Sequence, residues 1–202
     1  MYKNIENLKR LLISKNKRDG AIEDQQVEIL LDAVQELSAE FATMDVDFDI
    51  SMIENRRLDK NKLSISLDGK IIPSKGRDPY YDSKSFDAVL PIMIGDTKHV
   101  LYFIMKGVEN SGGHQDNVKQ EIALYTIQMK NNRDENVHFV FQLDGTYMLT
   151  KIINNPPPES DKYSITDSSR VKSIIRGYIF DHLDDTIKSG KSSKERRYPP
   201  LF

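Results

Sequence analysis

Apolar residues recur along the chain in different rhythms, and each rhythm predicts a different element. Val27, Leu30, Leu31, Val34, Leu37 and Phe41 follow the i, i+3, i+4, i+7 steps of a helix buried along one face, with Glu28, Asp32, Gln35 and Glu36 elsewhere on its surface, so a helix is expected over residues 22–43. A shorter helix is expected from Ile5, Leu8, Leu11 and Leu12, before the stretch Lys17–Gly20 interrupts it. Val46, Phe48, Ile50 and Met52 alternate with Asp and Ser, and Leu63, Ile65 and Leu67 alternate ahead of Asp68-Gly69, a hairpin dipeptide that leads into Ile71 and Ile72. These segments read as strands with one wet face.

Two dense apolar runs follow, residues 86–94 and 99–106, separated by Gly95-Asp96-Thr97-Lys98, and they read as adjacent antiparallel strands at the centre of a sheet. Val118, Ile122, Tyr125 and Met129 predict a helix over 115–131, and residues 137–143, the Asp144-Gly145 turn and residues 147–153 predict another hairpin. Pro156-Pro157-Pro158 makes residues 154–168 a loop, and Val171, Ile174, Ile175, Tyr178, Ile179 and Leu183 mark a last helix before a Ser-, Lys- and Arg-rich tail. The expected architecture is α/β of the α+β kind, a central mixed sheet flanked by helices. It forms one domain over 1–202, with a core at about 22–153 and a C-terminal helix and tail at 169–202.

Composition narrows the chemistry. The 202 residues hold no cysteine, which excludes disulfides, thiolate metal sites and a cysteine nucleophile, so any metal must sit on oxygen or histidine. No apolar run is long enough for a membrane span and no signal-peptide pattern opens the chain, so a cytoplasmic protein with no membrane partner is expected. The formal charge of −2 balances 29 basic against 31 acidic residues. A nucleic-acid enzyme that gathers carboxylates around a metal and bases on a binding face gives such a balance as readily as a protein that never meets DNA.

The polar groups of most interest flank the two central runs. Asp87 opens one and Lys106 closes the next, and a register centred on Gly95–Lys98 sets Asp87 opposite Lys106. An acid beside a lysine at a sheet end, followed by a polar loop and a helix, is what metal-dependent phosphodiester cleavage requires. Carboxylates hold a hard Mg²⁺, and the lysine orients the attacking water and offsets phosphate charge. The loop after Lys106 is rich in small and hydrogen-bonding residues. Gly112 and Gly113 allow close backbone approach to a phosphate, and Asn110, Ser111, His114, Gln115 and Asn117 are candidate DNA contacts, as are Arg77 and Tyr80 in the earlier polar loop. An ordinary helix-entry loop accounts for the same composition. Asp96-x-Lys98 matches a literal D-x-K pattern but falls in the hairpin turn.

At Ser85-Phe86-Asp87-Ala88-Val89 and Phe103-Ile104-Met105-Lys106-Gly107 the chain resembles the PD-(D/E)XK nuclease superfamily, type II restriction endonucleases in particular, over roughly residues 22–143. The resemblance implies a restriction-endonuclease-like core, Mg²⁺ as cofactor, double-stranded DNA as substrate and a homodimer matched to palindromic sites. The chain departs from the family pattern at Ile104, which stands where the acid two residues before the lysine belongs. Some relatives supply that acid from the next helix, which here gives Glu121. The implied catalytic set is then Asp87, Lys106 and Glu121, with Asp87 and Glu121 as metal ligands. An early-helix acid, Glu28, Glu36 or Glu40, is another source of an outer carboxylate. Two readings stand beside this one: a binding module that keeps the fold and has lost the metal site, and an enzyme acting on RNA or branched DNA.

Overall fold

The computed structural model describes residues 21–50, 53, 62–74, 84–107, 115–145 and 160–188. Its elements in chain order are α1 (Ala21–Glu40), β1 (Val46–Phe48), β2 (Leu63–Ile65), β3 (Ile71–Pro73), β4 (Ala88–Ile94), β5 (Thr97–Gly107), α2 (Gln115–Asn131), β6 (Val137–Asp144), β7 (Tyr163–Thr166) and α3 (Val171–Lys188). A five-stranded mixed sheet runs in the order β1-β4-β5-β6-β7, and β2 and β3 pair separately as a hairpin. The β1–β4 and β4–β5 pairs are antiparallel, whereas β5–β6 and β6–β7 are parallel. The expected α+β class, with a mixed sheet flanked by helices, is what the chain adopts. Among the described residues no helix is long and apolar enough to cross a membrane.

Alternation along the central strands divides the core in two. Ala88, Leu90 and Ile92 of β4 and Leu101, Phe103 and Met105 of β5 pack with Val27, Leu30, Val34 and Leu37 of α1 and with Ile175 and Ile179 of α3. Val89, Tyr102, Ile104, Phe139 and Phe141 lie in the other layer, with Ile122, Tyr125 and Met129 of α2. A sheet covered on both faces needs apolar side chains in both phases, which is why 86–94 and 99–106 read as unbroken apolar runs.

β1 stops at Phe48, short of the alternation seen through Met52, and Pro91 supplies the reason. The Asp49 N–H donates to the Pro91 carbonyl at 3.0 Å. The reciprocal bond of that antiparallel pair would need a proline N–H, so the ladder ends there. On its β5 side, where the ladder continues, Pro91 stands opposite Val100.

Three expectations are corrected. The β4–β5 turn is the two residues Gly95 and Asp96, because Ile94 pairs with Thr97. Gly95 takes φ 59°, a region open to glycine without steric cost. The register ends with Ala88 opposite Phe103, and the Asp87 N–H donates to that same Phe103 carbonyl, so Asp87 does not stand opposite Lys106 as expected. Residues 154–168 are not all loop, since Tyr163–Thr166 form β7 beside β6. The β2–β3 hairpin forms at Asp68-Gly69 as expected but docks on the end of α2, with Asn132 Nδ2 donating to the Gly69 carbonyl at 2.8 Å. The approach is so close that a Cβ on Gly69 would meet the Asn131 carbonyl carbon at 2.4 Å.

The expected helix at Ile5–Leu12, strand 147–153 and C-terminal tail lie outside the described residues.

Candidate functional site

The start of β4 and the end of β5 meet at one corner of the sheet. The Asp87 N–H donates to the Phe103 carbonyl at 2.9 Å, the last backbone bond of the β4–β5 ladder at this end. β4 has no further residue in register for Met105, and the Asp87 carboxylate takes over: Oδ2 accepts the Met105 N–H at 2.8 Å. The carboxylate is thereby oriented by the strand that carries the lysine. The alternation of β4 breaks at Asp87, since Phe86 lies in the layer under α2 and Ala88 in the opposite layer, whereas on β5 Lys106 follows Ile104 on the α2 face.

α2 covers that face. Its buried stripe of Ile122, Tyr125 and Met129 rests on the apolar layer of the sheet, and the same placement turns Glu121 inward to the end of β5. Glu121 Oε1 stands 3.4 Å from Lys106 Nζ, with side-chain exposures of only 13% and 18%. Oε1 is buried and makes no hydrogen bond, so the Lys106 ammonium is its electrostatic neighbour rather than a donor in hydrogen-bonding geometry. The other oxygen, Oε2, lies 3.3 Å from Lys84 Nζ, whose side chain is 69% exposed. Ile104 is fully buried in the layer beneath α2. Position 104 faces packed side chains there, and the carboxylate near Lys106 comes from the covering helix.

Among the described residues no three His, Asp or Glu side chains gather as a metal-binding group; of the two expected ligands, Asp87 accepts the Met105 N–H and Glu121 faces Lys84 and Lys106. Two carboxylates suit a hard divalent cation that completes its sphere with water and substrate phosphate, and a buried carboxylate oxygen without a hydrogen bond suits the same ion. Two of the three early-helix glutamates are engaged elsewhere: Glu36 Oε2 lies 2.6 Å from Lys172 Nζ and Glu40 Oε1 lies 2.6 Å from Arg176 Nε, both on α3. Asp96-x-Lys98 sits at the opposite end of the β4–β5 hairpin from Asp87. Arg77, Tyr80, Asn110, Ser111 and His114 lie outside the described residues; Gln115 and Asn117 belong to the first turn of α2.

Behind the corner, on the other face, lies a polar layer that sequence reasoning missed. Gln26 Nε2 of α1 stands 2.6 Å from Asp144 Oδ2, 3.0 Å from the Gln142 carbonyl and 3.3 Å from the Lys106 carbonyl. Asp144 also accepts the Ser168 N–H at 3.0 Å and hydroxyl at 2.6 Å, and Gln142 Nε2 donates to the same hydroxyl at 2.8 Å. This network ties α1, the ends of β5 and β6, and the entry to α3 into one unit beneath Lys106. The signal was present in the chain: Gln26 and Gln142 are amides set in apolar stripes, where a polar group survives only with partners.

A second cluster occupies the far end of the sheet. The His99 ring faces the Tyr178 hydroxyl, 3.0 Å from Nδ1, and meets the His182 ring edge-on at 4.5 Å. His138 lies between the Ser164 hydroxyl at 2.9 Å and the Asp161 carbonyl at 3.1 Å. Burial, reinforced by His182, lowers the His99 pKa to about 4. Burial likewise lowers that of His138 to about 4, against the opposing pull of the Asp161 carbonyl. Burial raises that of Tyr178. The His99, His138 and Tyr178 rings are neutral packing groups between α3 and the sheet at neutral pH.

Comparison with protein-family models, with curated proteins and with solved structures gives no match to this chain.

Proposed function

We propose that this chain is a Mg²⁺-dependent endonuclease of the restriction type, hydrolysing phosphodiester bonds of double-stranded DNA at the corner formed by Asp87, Lys106 and Glu121. The observation that carries the reading is the Lys106–Glu121 pair at 3.4 Å. It sets an acid beside the lysine although the strand itself offers Ile104, at the end of the sheet where the Asp87 carboxylate accepts the Met105 N–H. The order helix, antiparallel strands, helix and parallel strand over α1, β1, β4, β5, α2 and β6 supports the resemblance to the PD-(D/E)XK core.

In the reaction a water oxygen bonds to phosphorus as a P–O ester bond breaks, which yields a phosphomonoester and a hydroxyl. The water's proton passes to solvent and the leaving oxygen takes one from solvent. Mg²⁺, when bound, supplies electrophilic polarisation of a phosphoryl oxygen and favours ionisation of water. Asp87 and Glu121 would hold the cation, with Asp87 kept in orientation by the Met105 N–H. Lys106 orients the attacking water and offsets the charge of the phosphate. Its backbone is steadied by Gln26, and its ammonium by Glu121. A homodimer would present two such corners to the two strands of a palindromic site.

One observation favours a rival, a nuclease-fold binding module without catalysis: Glu121 already faces two ammonium groups, Lys106 and Lys84. Incubation of plasmid and genomic DNA with the protein in Mg²⁺, and in EDTA, separates the two. Discrete Mg²⁺-dependent fragments support the enzyme; intact DNA bound equally with and without the cation supports the module.

A further inference from the structure

We propose that the C-terminal half of α3 is a latch, hinged at Gly177, that lifts from the sheet when His99 and His138 take up protons. The latch lies over the opposite end of β5 from Lys106 and is independent of the chemistry proposed for that corner.

α3 is held differently along its two halves. Ahead of the first half Ser168 is bound to Asp144, and along it Lys172 and Arg176 pair with Glu36 and Glu40 of α1 while Val171 and Ile175 are buried. The second half rests on imidazoles. Tyr178 stands over both histidines of the sheet, its hydroxyl 3.0 Å from His99 Nδ1 and its ring centre 5.2 Å from that of His138. One turn on, His182 meets the His99 ring at 4.5 Å, and its Nδ1 lies 2.8 Å from the Tyr178 carbonyl. Ile179 and Leu183 seat this half in the apolar core. Gly177 divides the halves. A Cβ there would meet nothing within 4 Å, so no close packing calls for a glycine, and glycine weakens a helix interior relative to alanine.

Neutral rings suit this arrangement and charged rings do not. His138 donates from Nδ1 to the Asp161 carbonyl, which leaves Nε2 to accept the Ser164 hydroxyl. His99 has the Tyr178 hydroxyl. Both rings are buried, and neither forms an ion pair among the described residues. The other groups that face them are His182 and Tyr178 on α3, Asp134 after α2, and Asp161 and Lys162 ahead of β7. His182 and Lys162 oppose a positive charge, and Asp134 and Asp161 favour it. Burial outweighs the two aspartates and holds both histidines at about 4, against 6.5 for a hydrated imidazole, so each proton taken up favours the lifted form. Hydrating the rings means removing Tyr178 and His182, which bending at Gly177 achieves while the anchored half stays in place.

Native-state hydrogen exchange of the full chain at pH 7 and pH 5, corrected for intrinsic rates, tests this in wild type, in the double variant His99→Gln with His138→Gln, and in Gly177→Ala. Residues 178–183 of wild type should open at least about tenfold more readily at pH 5, with a ceiling of roughly thirtyfold for each histidine released. This exchange should be insensitive to low urea, the mark of a local opening, and residues 171–176 should gain no such phase. The double variant should open equally at both pH values. Where it does not fold, His99→Gln alone serves and should reduce the pH ratio. Gly177→Ala, whose Cβ fits, should open several-fold less readily at both pH values with the ratio unchanged. No acceleration in wild type overturns the latch, as does a urea-sensitive acceleration shared by 171–176 and 178–183, which is unfolding of the whole chain. An undiminished pH ratio in the histidine variants overturns the role of the two rings, and unslowed opening in Gly177→Ala overturns the hinge.

Discussion

Glu121 and Lys106 meet at 3.4 Å across the interface between α2 and β5, and the acid belongs to the helix. The strand position that would have carried it, Ile104, is part of the layer that holds α2 in place. Helix packing and site chemistry are therefore coupled, since the apolar contacts that seat Ile122 and Tyr125 also fix the distance of Glu121 from the lysine.

That coupling predicts that moving the acid back to the strand fails. Ile104→Glu, alone or combined with Glu121→Gln, places a carboxylate among Tyr102, Ile122 and Phe141 at a fully buried position. The cost is several kcal/mol, on the order of 3–5, from the buried charge and the lost packing. The double variant should show a lowered urea midpoint and no recovery of cleavage. Recovery with an unchanged midpoint would mean that α2 leaves space above residue 104.

Asp87 holds the Met105 N–H and, in the proposed centre, also a cation, and substitutions separate the two. Asp87→Asn keeps an oxygen for the Met105 N–H and loses the charge, so cleavage should fall by about two orders of magnitude or more with little change in stability. Asp87→Ala also leaves the Met105 N–H without its acceptor and should cost a further 1–3 kcal/mol or so in urea denaturation. Alanine therefore confounds the two effects, and asparagine reports on the chemistry.

The His99–His138 cluster predicts a stability profile. Both groups have folded pKa values near 4, below the ordinary value of 6.5, so between those limits the unfolded chain binds more protons than the folded one. Stability is complete above about pH 6.5, falls as pH drops through that window and is lost from these groups below about 4. The groups facing them are His182, Tyr178, Asp134, Asp161 and Lys162. A loss of roughly 2–5 kcal/mol for the pair is expected. Urea midpoints measured from pH 7 to 4.5 should decline, and His99→Gln with His138→Gln should flatten the curve. An equal slope in wild type and variant would show that other groups set it.

Much of this was legible in the sequence, for identifiable reasons. α1, α2 and α3 announce themselves through Val27–Phe41, Val118–Met129 and Val171–Leu183 because one-sided burial forces a helical period. β4 and β5 announce themselves as unbroken apolar runs because helices cover both faces of the sheet. The β4–β5 register was misplaced by two residues because Thr97 and Lys98, polar enough for a turn, extend β5. β7 was hidden by its brevity and by the three prolines before it. Lys84 was passed over because a lysine among Ser and Asp reads as solvated surface, and its contact with Glu121 spans 37 positions that no local pattern connects. Gln26, Asp144 and Ser168 converge from three distant segments in the same way.

The central claim is that Asp87, Lys106 and Glu121 form a metal-dependent phosphodiesterase centre, and cleavage of supercoiled plasmid DNA by wild type and Glu121→Gln tests it most directly. Both proteins are assayed in Mg²⁺ and in EDTA, with circular dichroism confirming that both are folded. Wild type should convert the plasmid to linear or discrete fragments in Mg²⁺ and leave it intact in EDTA, while Glu121→Gln should cut at least about a hundredfold more slowly. Cleavage by Glu121→Gln at the wild-type rate, or no Mg²⁺-dependent cleavage by the wild type on any plasmid or genomic DNA, would contradict it.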